Sequence, residues 1–458
     1  MKVHRYIPYY KQLLRLALPV VLAQAGQLTT QFADTAMVGN YGGEDAVPLA
    51  AVSLGSSLFL VIYLAALGLA LAITPLVGES YARNEQREVG RLFQNGMLYC
   101  LAVGVVATIA ALALRPFIGV LGEWMSDGGE DVRAVTEMAL PYYDMMIWSL
   151  MPMMIFLAIK QFLEGIGNTS VAMWITLAGN ALNIALNWIF IFGRGGLEPM
   201  GAEGAGLATL LARTMQAIII LIFFLRSRRM RLYRMGLQLR SMSFVYLRRF
   251  IAIGSPIAFQ MVLESAAFIL TSILALSFGA AAAGAMQVSF SIANIAWMIT
   301  VAIGSASTIV VSHIYGAGQR HELRPTINAT YHLGLVWAAF MAVVFVTLRT
   351  PIASVFTQNA EVITLTSQLM LLIAIYQFSD AVQGLSVSML RGLQDVTIIM
   401  PIVLISYLIL NIPIGCLLAY TLGMECHGLV IGLIIGLSSA AVMTLVRVRH
   451  QLRLFERG

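Results

Sequence analysis

Apolar stretches of about 20 residues, each long enough to cross a hydrocarbon core roughly 30 Å thick, recur along nearly the whole of this 458-residue chain. A backbone in lipid must satisfy its own hydrogen bonds, and helices of this length do so within each segment. Composition points the same way. Hydrophobic residues make up 59% of the chain and charged residues 11%, against about 25% charge in an average soluble domain. Twelve windows qualify, at roughly 12–38, 48–76, 92–114, 136–160, 170–192, 203–226, 250–278, 284–314, 329–349, 361–390, 397–420 and 427–447. The expected fold class is an all-α integral membrane protein with twelve transmembrane helices.

An even number of spans puts both termini on one side, and the basic residues say which. Twenty-three of the 28 Lys and Arg residues then share that side, which the positive-inside rule makes cytoplasmic. Arg115, Arg133, Arg194 and Arg349 fall outside with the acidic loop residues Glu123, Asp127, Glu130 and Asp131, while Arg213 stays within a span. The start, Met1 to Lys11, is basic and runs into a full-length span, so it is read as a retained cytoplasmic segment. The expected location is the inner (plasma) membrane, multi-pass, with both termini cytoplasmic. The net charge of +6 therefore orients the chain in lipid and does not imply a nucleic-acid partner. Cys100, Cys416 and Cys426 are widely spaced and form no metal or redox motif. The sequons at Asn168 and Asn328 fall on the cytoplasmic side and are chance matches.

The longest polar interruption sits at the midpoint, carries arginines from Arg226 to Arg249, and divides the chain into 1–225, a basic linker 226–249 and 250–458. It is also compatible with a loop resting on anionic headgroups. Landmarks recur across it: Pro19 with Pro256, Ser53 with Ser289, Gly68 with Gly304, Phe162–Gly165 with Met389–Gly392, and Met200–Gly204 with Met424–Gly428. Each half holds six spans, so the repeats have the same membrane orientation and form two pseudo-symmetric six-helix bundles with a central cleft.

Three acids interrupt apolar spans: Asp34, Glu264 and Asp380, with Asp144 a weaker fourth. A charge there costs about 3 kcal/mol on insertion scales, so such residues mark ion or substrate pathways unless they are merely paired at a helix interface. Tyr376 precedes Asp380 by one turn and Gln383 follows it, giving that acid polar company. Asn180, Asn183 and Asn187 form an amide stripe on the fifth helix. With Thr209 on the sixth they are read as an amino-terminal polar cavity facing Asp34, the plain alternative being amides that glue helices together. Gln287, Asn294, Gln383 and Met173 are weaker candidates for a substrate cleft, and Met145, Met146, Met151, Met153 and Met154 offer adaptable apolar surface.

Carboxylates among neutral oxygens suit Na⁺ at Glu264, Asp380 or Asp34, and a desolvated carboxyl suits H⁺. Desolvation favours the protonated carboxyl and bound sodium the ionised one, so one site can let the two compete. No other cofactor is expected. The P-loop, HExxH, GxSxG and Cys/His metal patterns are absent from the sequence, which argues against an enzyme.

The run Gln31-Phe32-Ala33-Asp34-Thr35-Ala36-Met37-Val38-Gly39, together with Gly179-Asn180-Ala181-Leu182-Asn183-Ile184, Leu263-Glu264 and Arg391-Gly392-Leu393-Gln394-Asp395, resembles multidrug and toxic compound extrusion transporters across essentially the whole chain. Glu264, Tyr376 and Asp380 resemble the NorM branch. The resemblance implies a V-shaped pair of six-helix bundles that exports cationic, often aromatic compounds against inward Na⁺ or H⁺ flow. Relatives with a second carboxylate on the fifth helix at the amino-terminal site find Asn187 or a neighbour here. The alternative from the same superfamily is a flippase of lipid-linked saccharides, which would need a cationic cleft; the intramembrane charges here are acidic and favour cationic cargo. A single two-lobed chain supplies its own cleft, so a monomer is expected.

Overall fold

The computed structural model describes residues 3–42, 47–120, 130–234 and 243–457. Lys2, Glu123, Asp127, Arg240 and the stretch 235–242 of the expected linker lie outside the described residues. Among the described residues, twelve helices are long and apolar enough to cross a membrane. They are α1 (Ile7–Tyr41), α2 (Val47–Ala82), α3 (Gln86–Leu114), α4 (Arg133–Gly165), α5 (Thr169–Phe192), α6 (Gly201–Arg226), α7 (Phe244–Leu276), α8 (Ala280–Ala317), α9 (Arg320–Thr347), α10 (Ala360–Gly392), α11 (Ile399–Thr421) and α12 (Glu425–Glu456). The chain is thus an all-α, multi-pass membrane protein. Several helices outrun their apolar windows, α9 beginning at Arg320 and α12 reaching Glu456. Hydropathy detects only the part that needs lipid, whereas backbone hydrogen bonding continues through polar turns.

Three helices are irregular. A turn at Leu71–Ala72 interrupts α2, and another at Ser149 interrupts α4. Helix α11 widens into π-helical turns at Leu404–Asn411 and Leu417–Thr421. Such wide turns move side chains off the ordinary 3.6-residue face and often occur at functional sites.

Two compact units divide the chain. One comprises Leu22–Ala258; the other joins Met1–Val21 to Phe259–Gly458. Helices α1 and α7 each contribute to both, and in each the hand-over comes two residues after a proline, Pro19 or Pro256. Proline removes one backbone hydrogen bond from a helix, so these are the points where either helix bends at least cost.

The internal repeat is visible in the packing of each unit. In the first, α2 packs on α4, α3 on α2 and α4, α4 on α6, and α5 on α6. In the second, α8 packs on α10, α9 on α8 and α10, α10 on α12, and α11 on α12. Individual contacts repeat as well. The Thr74 hydroxyl donates to the Gln161 carbonyl at 3.1 Å, and the Thr308 hydroxyl to the Ser388 carbonyl at 2.8 Å. A Cβ on Gly165 would lie 2.8 Å from Val77 Cβ and 3.0 Å from the Thr74 carbonyl; on Gly392 it would lie 2.9 Å from both Val311 Cβ and the Thr308 carbonyl. Left-handed backbone recurs at Asn84 and Gly318, at Gly167 and Gln394, and at Gly201 and Glu425.

These contacts correct the register read from residue types. Thr74 with Thr308 and Val77 with Val311 place Ser53 opposite Gln287, not Ser289, and Gly68 opposite Ala302, not Gly304. Burial agrees, since Ser53 and Gln287 are both exposed while Gly55 and Ser289 are both buried. Small residues are so frequent in these helices that a match two positions out of register arises easily.

Candidate functional site

Intramembrane acids collect in two separate polar groups, one in each unit. In the unit Leu22–Ala258, Asp34 on α1 accepts a hydrogen bond from the Asn187 amide on α5. Asn187 also donates to Asn183 Oδ1 at 3.3 Å, and Asn183 donates to the Thr209 hydroxyl at 3.4 Å. Turned over, the Asn183 amide would instead donate to Asp34 Oδ1 at 3.1 Å. One-turn spacing on α5 thus aims Asn183 and Asn187 at the same carboxylate. Asn180, one turn further, does not join them; its amide nitrogen is buried without a hydrogen-bond partner among the described residues, and a Cβ on Gly26 of α1 would lie 3.1 Å from it.

A cation that sequence reading left unassigned belongs to this group. Arg213 on α6 donates to the Ser149 hydroxyl at 2.6 Å, at the break in α4, and its guanidinium lies 5.3 Å from the centre of the Phe59 ring. It is in electrostatic contact with Asp34, so the lone acid of this group already faces a fixed positive charge.

The second group lies in the other unit. Glu264 on α7 accepts from the Tyr407 hydroxyl of α11 at 2.8 Å and from the Gln260 amide, one turn back on α7, at 3.3 Å. Asp380 on α10 is 2% exposed and interacts with Glu264 and Tyr376. Its Oδ2 is buried with no hydrogen-bond partner among the described residues, as are the amide nitrogens of Gln377, Gln383 and Asn411. Each buried polar atom left unpaired costs about 1–3 kcal/mol. Helix packing alone gives no reason to keep so many together. An aromatic wall adjoins them, with Phe268 of α7 set edge-on to Tyr376 at 6.4 Å and to Phe290 of α8 at 5.4 Å.

Among the described residues, Arg391 is the positive charge that acts on Glu264. The sequence reading counted it among the basic residues of the cytoplasmic side. It sits in the last turn of α10 with its side chain turned into the unit, donating to Gln260 Oε1 at 2.9 Å. Tyr407 also escaped the sequence reading, because the π-helical winding of α11 hides it from a 3.6-residue pattern.

The weaker cleft candidates divide. Gln287 and Asn294 are exposed on α8 with Ser291 between them, a polar face that suits water better than lipid. Gln383 is 2% exposed beside Asp380, and Met173 is 7% exposed, within the packing of α5. Asp144 pairs with Arg115, at 2.7 and 2.9 Å. A cavity of about 700 Å³ beside Arg83, Arg87, Arg91 and Arg249 is laced by ion pairs to Glu79 and Glu88. Among the described residues, no three His, Cys, Asp or Glu side chains are grouped to hold a metal ion.

Comparison with known proteins gives consistent matches. The family model MatE matches residues 19–189 and 256–417, stretches that open on the two hand-over prolines. Multidrug resistance protein NorM of Photobacterium profundum is 31% identical over 454 residues, covering 97% of this chain and 96% of its own. Multidrug resistance protein MdtK of Edwardsiella ictaluri is 30% identical over 443 residues, covering 96% and 95%. Among solved structures, an outward-facing multidrug resistance MATE family transporter of the MOP superfamily matches with a TM-score of 0.86 at 20% identity, covering 98% of this chain and 97% of that one.

Proposed function

Because this chain belongs to the MatE family, with close to full-length likeness to relatives named as multidrug resistance proteins, we propose that it is a multidrug efflux transporter that exchanges organic cations for Na⁺ or H⁺ by alternating access. The observation that carries the finer part is the unbalanced charge at the carboxy-terminal group. Two acids, Glu264 and Asp380, interact with each other, one arginine, Arg391, acts on Glu264, and Asp380 keeps an oxygen without a hydrogen-bond partner among the described residues. At the amino-terminal group a single acid, Asp34, faces a single arginine, Arg213.

A net negative, desolvated site binds one monovalent cation and resists being emptied, since an uncompensated buried charge is strongly destabilising. The carboxy-terminal group is therefore assigned the coupling ion, held by Glu264 and Asp380 with Tyr376 and Tyr407 supplying hydroxyl oxygens. Organic cations compete for the same negative field, and Phe268, Phe290 and Tyr376 offer ring faces on which an aromatic cation gains about 0.5–2 kcal/mol. Ion and drug exclude one another electrostatically, which is the condition for exchange. Asp34, Asn183, Asn187 and Thr209 form a neutral polar group that is assigned to substrate contact or helix positioning. A flippase of anionic lipid-linked saccharides would need the opposite charge balance. The working unit is proposed to be a monomer in the inner membrane with both termini cytoplasmic.

The test is ethidium efflux from proteoliposomes with Na⁺ and H⁺ gradients imposed separately. Efflux driven by one gradient and abolished in Glu264→Gln supports the proposal. Gradient-independent ethidium movement, or none with folded protein, overturns it.

A further inference from the structure

We infer that Arg391 is a tethered counter-ion that competes with the coupling cation for Glu264, so that it sets cation release without touching substrate. The inference rests on the assignment of Glu264 as a coupling carboxylate. Its geometry is a three-member chain. Arg391 donates to Gln260 Oε1 at 2.9 Å, Gln260 donates to Glu264 Oε2 at 3.3 Å, and Tyr407 holds the other oxygen of Glu264 at 2.8 Å. A single buried glutamine, 4% exposed, therefore separates the guanidinium from the carboxylate.

Three features point to exchange and not to a static brace. Arg391 makes no ion pair within 4 Å with any acid among the described residues, unlike Arg83, Arg115 and Arg447, which are each held directly by a carboxylate. Its Nε is buried with no hydrogen-bond partner among the described residues, so its donor capacity is not spent. It also stands about three turns along the same face of α10 as Asp380, in the last turn of that helix. When a cation leaves Glu264, a buried carboxylate is left exposed to its own desolvation cost. The long arginine side chain, one glutamine away, supplies the replacing charge. When a cation returns, Arg391 withdraws to Gln260. The charges and hydroxyls that face Glu264 are Asp380 and Tyr376 from α10, Tyr407 from α11 and Arg391, so removing Arg391 takes away the one positive contribution among them.

The test uses purified full chain in detergent, with ethidium binding followed by fluorescence polarisation and displaced by Na⁺ at fixed pH or by protons at fixed choline. The ion that displaces ethidium in the wild type and fails to do so in Glu264→Gln is the coupling ion. Arg391→Gln is expected to lower the concentration of that ion needed for half displacement by about tenfold, the scale of losing one nearby like charge. Arg391→Lys, which keeps the charge, is expected to stay within about twofold of wild type. Tighter cation binding cannot come from misfolding, which only weakens it. Gln260→Ala supplies an independent variant: without the spacer, Arg391 reaches Glu264 and the ion is expected to bind more weakly. Unchanged or weakened cation competition in Arg391→Gln, with the Glu264→Gln effect intact, overturns the inference and leaves the coupling site standing. Ion competition that ignores Glu264→Gln removes both.

Discussion

Converting Asn187 to Asp should turn the amino-terminal polar group into a cation-binding site. Asn187 is 0% exposed and donates directly to Asp34, so its aspartate replacement would set two carboxylates in hydrogen-bond contact. At about 3 Å and an effective dielectric near 20, two unit charges repel by about 5 kcal/mol. Arg213 offsets part of this, and Asp34 is partly exposed, leaving on the order of 2 kcal/mol as the measurable penalty. For a unit of this size that corresponds to a loss of roughly 5 °C in melting temperature. The assay is thermal melting of the purified full chain at alkaline pH in choline chloride or in sodium chloride. The variant is expected to melt below wild type in choline and to recover most of the difference in sodium, while wild type responds less. An Asn187→Asp protein as stable as wild type in choline would refute the reasoning, because it would mean that the two side chains do not meet.

Gly392→Ala and Gly165→Ala should each destabilise the protein by about 1–2 kcal/mol in denaturant or thermal melts, since overpacking against backbone carbonyls outweighs a helix-propensity gain of about 1 kcal/mol. Gly39→Ala, with nothing within 4 Å of the added carbon, should be neutral or slightly stabilising. A double-mutant cycle on Arg115 and Asp144 should give a coupling of at most about 1 kcal/mol despite two good hydrogen bonds, because the side chains are 44% and 32% exposed. Tyr407→Phe should slow gradient-driven ethidium efflux about tenfold by removing one charge-assisted hydrogen bond from Glu264, whereas Tyr420→Phe, at a residue 49% exposed, should leave efflux unchanged.

The fold was legible because lipid imposes one rule on every span: about 20 apolar residues in helical form. Intramembrane acids were legible for the same reason, since Asp34, Glu264 and Asp380 stand out against apolar surroundings. Their partners were harder to see. Arg391 stands among basic residues whose ordinary role is orientation, and only side-chain direction separates a buried guanidinium from one at the lipid surface, while Arg213 stood out within a span but without a visible partner. Tyr407 lies on π-helical turns, where periodicity fails. The asparagine stripe on α5 was only partly informative, because Asn187 meets Asp34 and bonds Asn183 while Asn180 turns toward Gly26. The hand-over of α1 and α7 between units depends on contacts between residues far apart in the chain, which no local pattern encodes.

The most direct test of the charge argument compares Asp380→Asn with Asp34→Asn in proteoliposomes, following ethidium efflux under an imposed gradient of the coupling ion. Asp380→Asn is expected to abolish the gradient dependence, and Asp34→Asn to retain it even where the rate or the apparent KM for ethidium changes. Loss of gradient dependence in Asp34→Asn with full coupling in Asp380→Asn would contradict the assignment and move the coupling ion to the amino-terminal group.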